Sequence, residues 1–166
     1  MRYFNTSGPC DPEKHYTVLR EALVAQGTQL AEQGRYFTIF APRQSGKTTY
    51  FQLLLRTLRE KSFTPIWISF EGVKTLDRDG FYRVLNNRLL LELREQEAAI
   101  DFSIESQIDL ESLFKTLKGT IAPIVLVIDE FEDIPDAVLG EVMHIFRSLY
   151  HKKQHHGLHS LYSRRR

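Results

Sequence analysis

Apolar positions change their period several times along the chain, and each change marks an element. Val18, Leu19, Ala22, Leu23, Leu30 and Ala31 recur at spacings of three and four. That spacing predicts an amphipathic helix running to about Gln33, where Gly34 stops it. Tyr36–Phe40 is aromatic and β-branched between Gly34 and Pro42, the pattern of a strand. Helical spacing returns over Thr48–Lys61 through Phe51, Leu54, Leu55 and Leu58. A second strand is predicted over Pro65–Phe70, then a helix over Phe81–Glu95 with Val84, Leu85, Leu89 and Leu93 on one side. Leu110–Leu117 reads as another helix, with Ser106 or Asp109 near its cap. Ile124–Ile128 is apolar on both faces, which predicts a strand inside a parallel sheet covered by helices on each side. A last helix, about Ala137–Lys152, repeats Val138, Val142, Ile145, Phe146 and Leu149. Strands separated by helices are βαβ units, so the fold class is α/β.

Length and composition narrow this picture without changing it. The 166 residues suit one domain, and 42% hydrophobic with 26% charged residues is a globular composition. The net charge of +1 is unevenly spread, because residues 142–166 hold six Lys/Arg and no Asp/Glu. That basic end admits a nucleic-acid or acidic partner, and a solvated chain end is the plainer reading. A single cysteine, Cys10, excludes an intrachain disulfide and a Cys-rich zinc site. No apolar run is long enough for a signal peptide or a membrane span, so the expectation is a soluble, cytoplasmic protein. His144, His151, His155, His156 and His159 crowd together near the end. A metal site there competes with a wet helix end, and no neighbouring acid favours the metal.

The chemistry concentrates at two places. Between the first strand and its helix lies Ala41-Pro42-Arg43-Gln44-Ser45-Gly46-Lys47-Thr48-Thr49. It matches the phosphate-loop pattern G-x-x-x-x-G-K-[ST] in its second glycine, lysine and threonine, with Ala41 in place of the first glycine. Such a loop turns successive amides toward an anion, and the helix that follows adds its own unsatisfied N–H groups and positive dipole end. Gln44–Thr49 are therefore the expected nucleotide-binding residues. Lys47 reaches the β- and γ-phosphates, Thr48 offers a hydroxyl to magnesium, and Thr49 is placed for the α-phosphate. The plainer alternative is an ordinary strand-to-helix turn with a solvated lysine.

The third strand ends in Asp129-Glu130, at the carboxyl edge of the sheet where ligands of open α/β sheets bind. Asp129 suits Mg2+, which takes few protein carboxylates, and Glu130 suits a general base acting on water. Arg43 and Glu71 are placed to line the cleft, with ordinary rim residues as the plainer reading.

Together these motifs resemble the additional-strand, catalytic-glutamate class of P-loop ATPases, and within it the AAA-like ATPases of bacteria and archaea. The resemblance extends to Phe4-Asn5-Thr6-Ser7-Gly8-Pro9 and Tyr36-Phe37-Thr38, and it covers the chain to about Ser160. It implies a P-loop NTPase three-layer sandwich that binds ATP with Mg2+ and, in the complete family, hydrolyses it. A non-catalytic nucleotide-gated switch or an inactive truncated remnant is the alternative. By the same resemblance Phe4, His15 or Tyr16 contacts the base. A fourth strand is expected between the first and third, followed by a sensor residue, a fifth strand and a helical lid. Only Leu158–Tyr162 is legible as that fourth strand, so the domain is expected to be incomplete at its C-terminus and open to self-association or a protein partner. The expected layout is an N-terminal segment and helix over 1–34, a partial core over 35–162 and a basic tail over 163–166.

Overall fold

The computed structural model describes residues 2–6, 10–40, 45–96 and 100–165, with backbone only for Arg164 and Arg165. In chain order the elements are α1 (Glu21–Glu32), β1 (Tyr36–Phe40), α2 (Lys47–Glu60), β2 (Thr64–Ser69), α3 (Arg78–Glu95), α4 (Gln107–Thr116), β3 (Ile124–Asp129), α5 (Asp136–His151) and β4 (Leu158–Arg165). The four strands form one sheet in the order β1-β4-β3-β2, parallel throughout. Helices cover both faces, so the chain is an α/β three-layer sandwich.

Strand alternation sorts the core between the two faces. Ile124, Leu126 and Ile128 of β3 join Ile66 and Ile68 of β2 against α3, α4 and α5. Val125 and Val127 join Tyr162 against α1 and α2, whose contribution includes Phe51, Leu54 and Leu58. Every residue of β3 is buried, as expected for a strand apolar on both faces. Local signals set the helix starts. Asp77 caps α3 by accepting the Gly80 amide, and Ser106 caps α4 by accepting the Asp109 amide. Asp109 returns the contact by accepting the Ser106 hydroxyl at 2.8 Å.

Most boundaries differ from the sequence expectation by one to three residues, and two larger differences have a tertiary cause. The first helix begins at Glu21 and buries Val24, Gly27, Thr28 and Ala31, while Val18, Leu19 and Leu23 are exposed. The reason is the fit of α1 on α2. A Cβ on Gly27 would lie 2.4 Å from the Tyr50 hydroxyl and 3.2 Å from the Leu54 methyls. The Tyr162 hydroxyl donates to the Gly27 carbonyl at 2.7 Å on the same stripe. Small residues that allow close approach outrank larger apolar ones here, and a search for large apolar positions does not find them.

The second difference is the length of β4. Ser163, Arg164 and Arg165 are not a basic tail; they continue β4, which pairs with β1 from Tyr36↔Leu161 to Phe40↔Arg165. Ser163 has strand partners on both sides, Arg164 and Arg165 pair with β1 alone, and those partners override a polar, charged sequence. The remaining shifts are small: α2, β2 and α5 each start one residue before the expected Thr48, Pro65 and Ala137, and the helices expected from Phe81 and Leu110 start at Arg78 and Gln107.

His156 joins α5 to β4. Its Nε2 lies 2.6 Å from the Leu149 carbonyl, and its Nδ1 accepts the Leu158 amide at 3.1 Å. Those two bonds fit only the neutral ring with its proton on Nε2. Burial pushes its pKa below the ordinary 6.5. The Leu149 carbonyl and Glu111 push it back up, while His155 and Lys118 push it further down. Because the folded pKa is depressed, the unfolded chain binds more protons once pH falls below about 6.5, and stability drops there. Acidifying from pH 7.5 to 5.5 is expected to lower the urea midpoint of the wild type more than that of His156→Gln. Equal shifts in the two proteins would contradict the assignment.

Candidate functional site

Lys47 and Asp129 come to the same edge by separate routes. Lys47 is the first residue of α2, just after Gly46, whose backbone is left-handed (φ 78°). Glycine takes that conformation without a Cβ penalty, so the chain can turn sharply from the loop into the helix. Lys47 is buried, at 6% exposure, although it carries a charge. The first-turn amides of α2 lack intrahelical partners and point toward the loop. Ser45 brings one further polar group, a buried hydroxyl oxygen with no hydrogen bond among the described residues.

Asp129 is the last residue of β3, in register with Ser69 of β2. Alternation along β3 puts it on the face of Val125 and Val127, the side covered by α2. It is 8% exposed, and its Oδ1 accepts the Glu130 amide at 2.8 Å. Glu130 leaves the strand in left-handed backbone (φ 52°, ψ 47°), and the chain then enters the short turn Phe131–Asp133. Few non-glycine residues adopt such backbone, and those that do gather at functional sites. Glu130 is buried as well, at 9% exposure. The strand between, β4, places Ser163 opposite both Thr38 and Ile128, and Thr38 and Ser163 share a 2.7 Å hydrogen bond.

The other candidates divide clearly. Thr48 follows Lys47 in the first turn of α2. The Thr49 hydroxyl accepts the Cys10 amide at 3.1 Å, which ties the N-terminal segment to the loop helix. Gln44, Ala41, Pro42 and Arg43 lie outside the described residues, as do Ser7, Gly8 and Pro9. His15 accepts the Asp11 amide through Nδ1 at 2.8 Å and packs edge-on against Tyr3, a structural role. Phe4 and Tyr16 form an exposed ring pair 4.9 Å apart. Glu71 is exposed, and its carbonyl accepts Arg88 at the rim.

Two residues at this edge had no expectation attached. Ser163 was hidden because Ser163–Arg166 shows no apolar alternation. Arg20 was hidden because nothing in the local sequence tells that its guanidinium crosses to donate to the Ser45 carbonyl, at 2.6 Å. Beside Lys47 a cleft of about 530 Å3 opens between α1, β1 and α2, lined also by Arg20, Phe37 and Tyr50. A larger groove of about 670 Å3 between α1 and α2 touches none of the described loop residues.

A family model described as an AAA domain matches residues 30–161, most of the chain and both acidic and phosphate-loop segments. The chain belongs to the AAA domain family. No curated protein matches it. Membership of the AAA domain family makes this a nucleotide-binding P-loop fold. Among the described residues no three His, Cys, Asp or Glu side chains gather into a metal cluster, and His156 is committed to backbone. Thr48 and Asp129 offer hard oxygen donors at this edge. That set fits Mg2+, which keeps much of its hydration and takes its remaining ligands from phosphate. No helix is long and apolar enough to cross a membrane among the described residues.

The left-handed turn at Gly46 gives a direct check. Gly46→Ala is expected to cost about 1–2 kcal/mol, the penalty of an ordinary residue in that backbone. The Arg20 guanidinium, 3.1 Å from the position of the new Cβ, adds crowding. Urea unfolding measures the loss, and unchanged stability would mean the turn relaxes elsewhere.

Proposed function

We propose that the chain binds ATP with Mg2+ at the start of α2 and hydrolyses it. One observation carries the reading: a lysine and two carboxylates are all nearly buried at one edge of the sheet. Burying charged groups costs free energy whatever they pair with, and several of them gathered at one carboxyl edge of a parallel sheet mark a ligand site. On this reading the loop amides and Lys47 hold the phosphates, and Ser45 and Thr49 lie alongside. Thr48 and Asp129 hold Mg2+, which supplies positive charge against the phosphate oxygens. Glu130 orients the attacking water and takes its proton. The barrier is then lowered by positioning and charge rather than by a covalent intermediate. The exposed Phe4–Tyr16 pair, on the segment tied down at Thr49, is the candidate platform for the base. The same tie is what favours a second reading, a switch in which ATP orders the N-terminal segment without turnover.

Calorimetry with MgATP tests binding. Lys47→Ala is expected to lose about 1.5–3 kcal/mol of binding free energy, the scale of a hydrogen bond to a charged group. Wild-type affinity in that variant would refute the phosphate site. Phosphate release tests hydrolysis and separates the two readings. Glu130→Gln should keep MgATP affinity and slow release by about 10²–10⁴-fold. Release at the wild-type rate would remove Glu130 from the chemistry, and no release from wild type would leave the switch.

A further inference from the structure

Arg20 stands just before α1 in left-handed backbone (φ 51°, ψ 40°), and its carbonyl accepts the amides of Leu23 and Val24 that open the helix. Non-glycine residues adopt this backbone sparingly. Here it accompanies a side chain that crosses to the phosphate loop. Nη2 donates to the Ser45 carbonyl at 2.6 Å, and the same nitrogen lies 3.1 Å from where a Cβ on Gly46 would sit. Arg20 is exposed, and no carboxylate among the described residues pairs with it. It shares the cleft of about 530 Å3 with Lys47, so two cations border one space.

A guanidinium has five N–H donors in one plane, and a single bond to a carbonyl fixes its orientation while leaving the others for an oxyanion. A carbonyl is a weak partner for a full charge beside a loop built to receive a more strongly charged one. We infer that Arg20 is a second cationic residue of the phosphate site, held over the loop by Ser45 so that it contacts a phosphate of the bound nucleotide. The inference rests on the MgATP reading above. Its rival is a plain clamp, in which Arg20 only pins α1 to the loop through the Ser45 carbonyl. A neutral donor would serve a clamp as well as a charged one, and the two roles separate on that point.

The experiment compares wild type, Arg20→Ala, Arg20→Lys and Arg20→Gln by MgATP calorimetry at low and high salt, with the melting temperature of each ligand-free protein. Arg20→Ala should weaken MgATP binding roughly ten- to a hundredfold, the scale of a charge-assisted contact. It should also flatten the salt dependence of affinity. Arg20→Lys should recover most of the loss, Arg20→Gln little of it, and the ligand-free melting temperatures should stay together. Full affinity in Arg20→Gln would overturn the inference in favour of the clamp. So would a ligand-free melting temperature that falls in step with affinity. Wild-type affinity in Arg20→Ala beside lost affinity in Lys47→Ala would overturn the role of Arg20 and leave the MgATP site standing. Failure of the wild type to bind MgATP would overturn both.

Discussion

Between β1 and β3 the backbone of each strand faces inward with a row of amides and carbonyls that need partners. β4 supplies them on both sides, pairing from Tyr36 to Phe40 on one and from Ile124 to Ile128 on the other. Left unmade, those bonds would cost about 1–3 kcal/mol for each buried group, more than a small domain can absorb many times over. The same insertion fixes the spacing of the site. Lys47 follows β1, and Asp129 ends β3, so one strand's width separates the loop from the acids. The side chains of β4 secure the position from both faces. Leu158 and Leu161 pack toward α5, Tyr162 packs toward α2, and the Tyr162 hydroxyl reaches α1 at Gly27.

Around that frame the edge of the sheet collects groups that disfavour burial. Asp129 keeps one carboxylate oxygen on the Glu130 amide, and Glu130 sits in left-handed backbone that a glycine would tolerate more easily. Arg20, exposed just before α1, shares the left-handed backbone. A sequence selected for stability alone would relax these positions, whereas strain and buried charge kept together at one edge are what a ligand site requires. The N-terminal segment belongs to the same unit through the Cys10–Thr49 hydrogen bond, which links its aromatic pair to the loop helix.

Much of this was legible in the residues. Ile124–Ile128 announced a strand buried on both faces because nothing polar interrupts it, and Ser106, one of two candidate caps, is the residue that caps α4. The phosphate-loop pattern and Asp129-Glu130 stood out because a phosphate site would demand residue types at fixed places. What escaped was set by tertiary contact. The face of α1 depends on how closely α2 approaches Gly27, and the polar end of β4 is a strand because β1, joined by β3 at Ser163, supplies its partners. Arg20 reaches Ser45 across twenty-five residues of sequence, a separation at which no local pattern operates.

The most direct measurement of the central claim is a crystal structure with Mg2+ and a non-hydrolysable ATP analogue. The account predicts the phosphates against the Ser45–Thr48 end of α2, with Lys47 on them and the metal facing Thr48 and Asp129. Triphosphate bound anywhere else, with Lys47 and Asp129 untouched by ligand or metal, would contradict it.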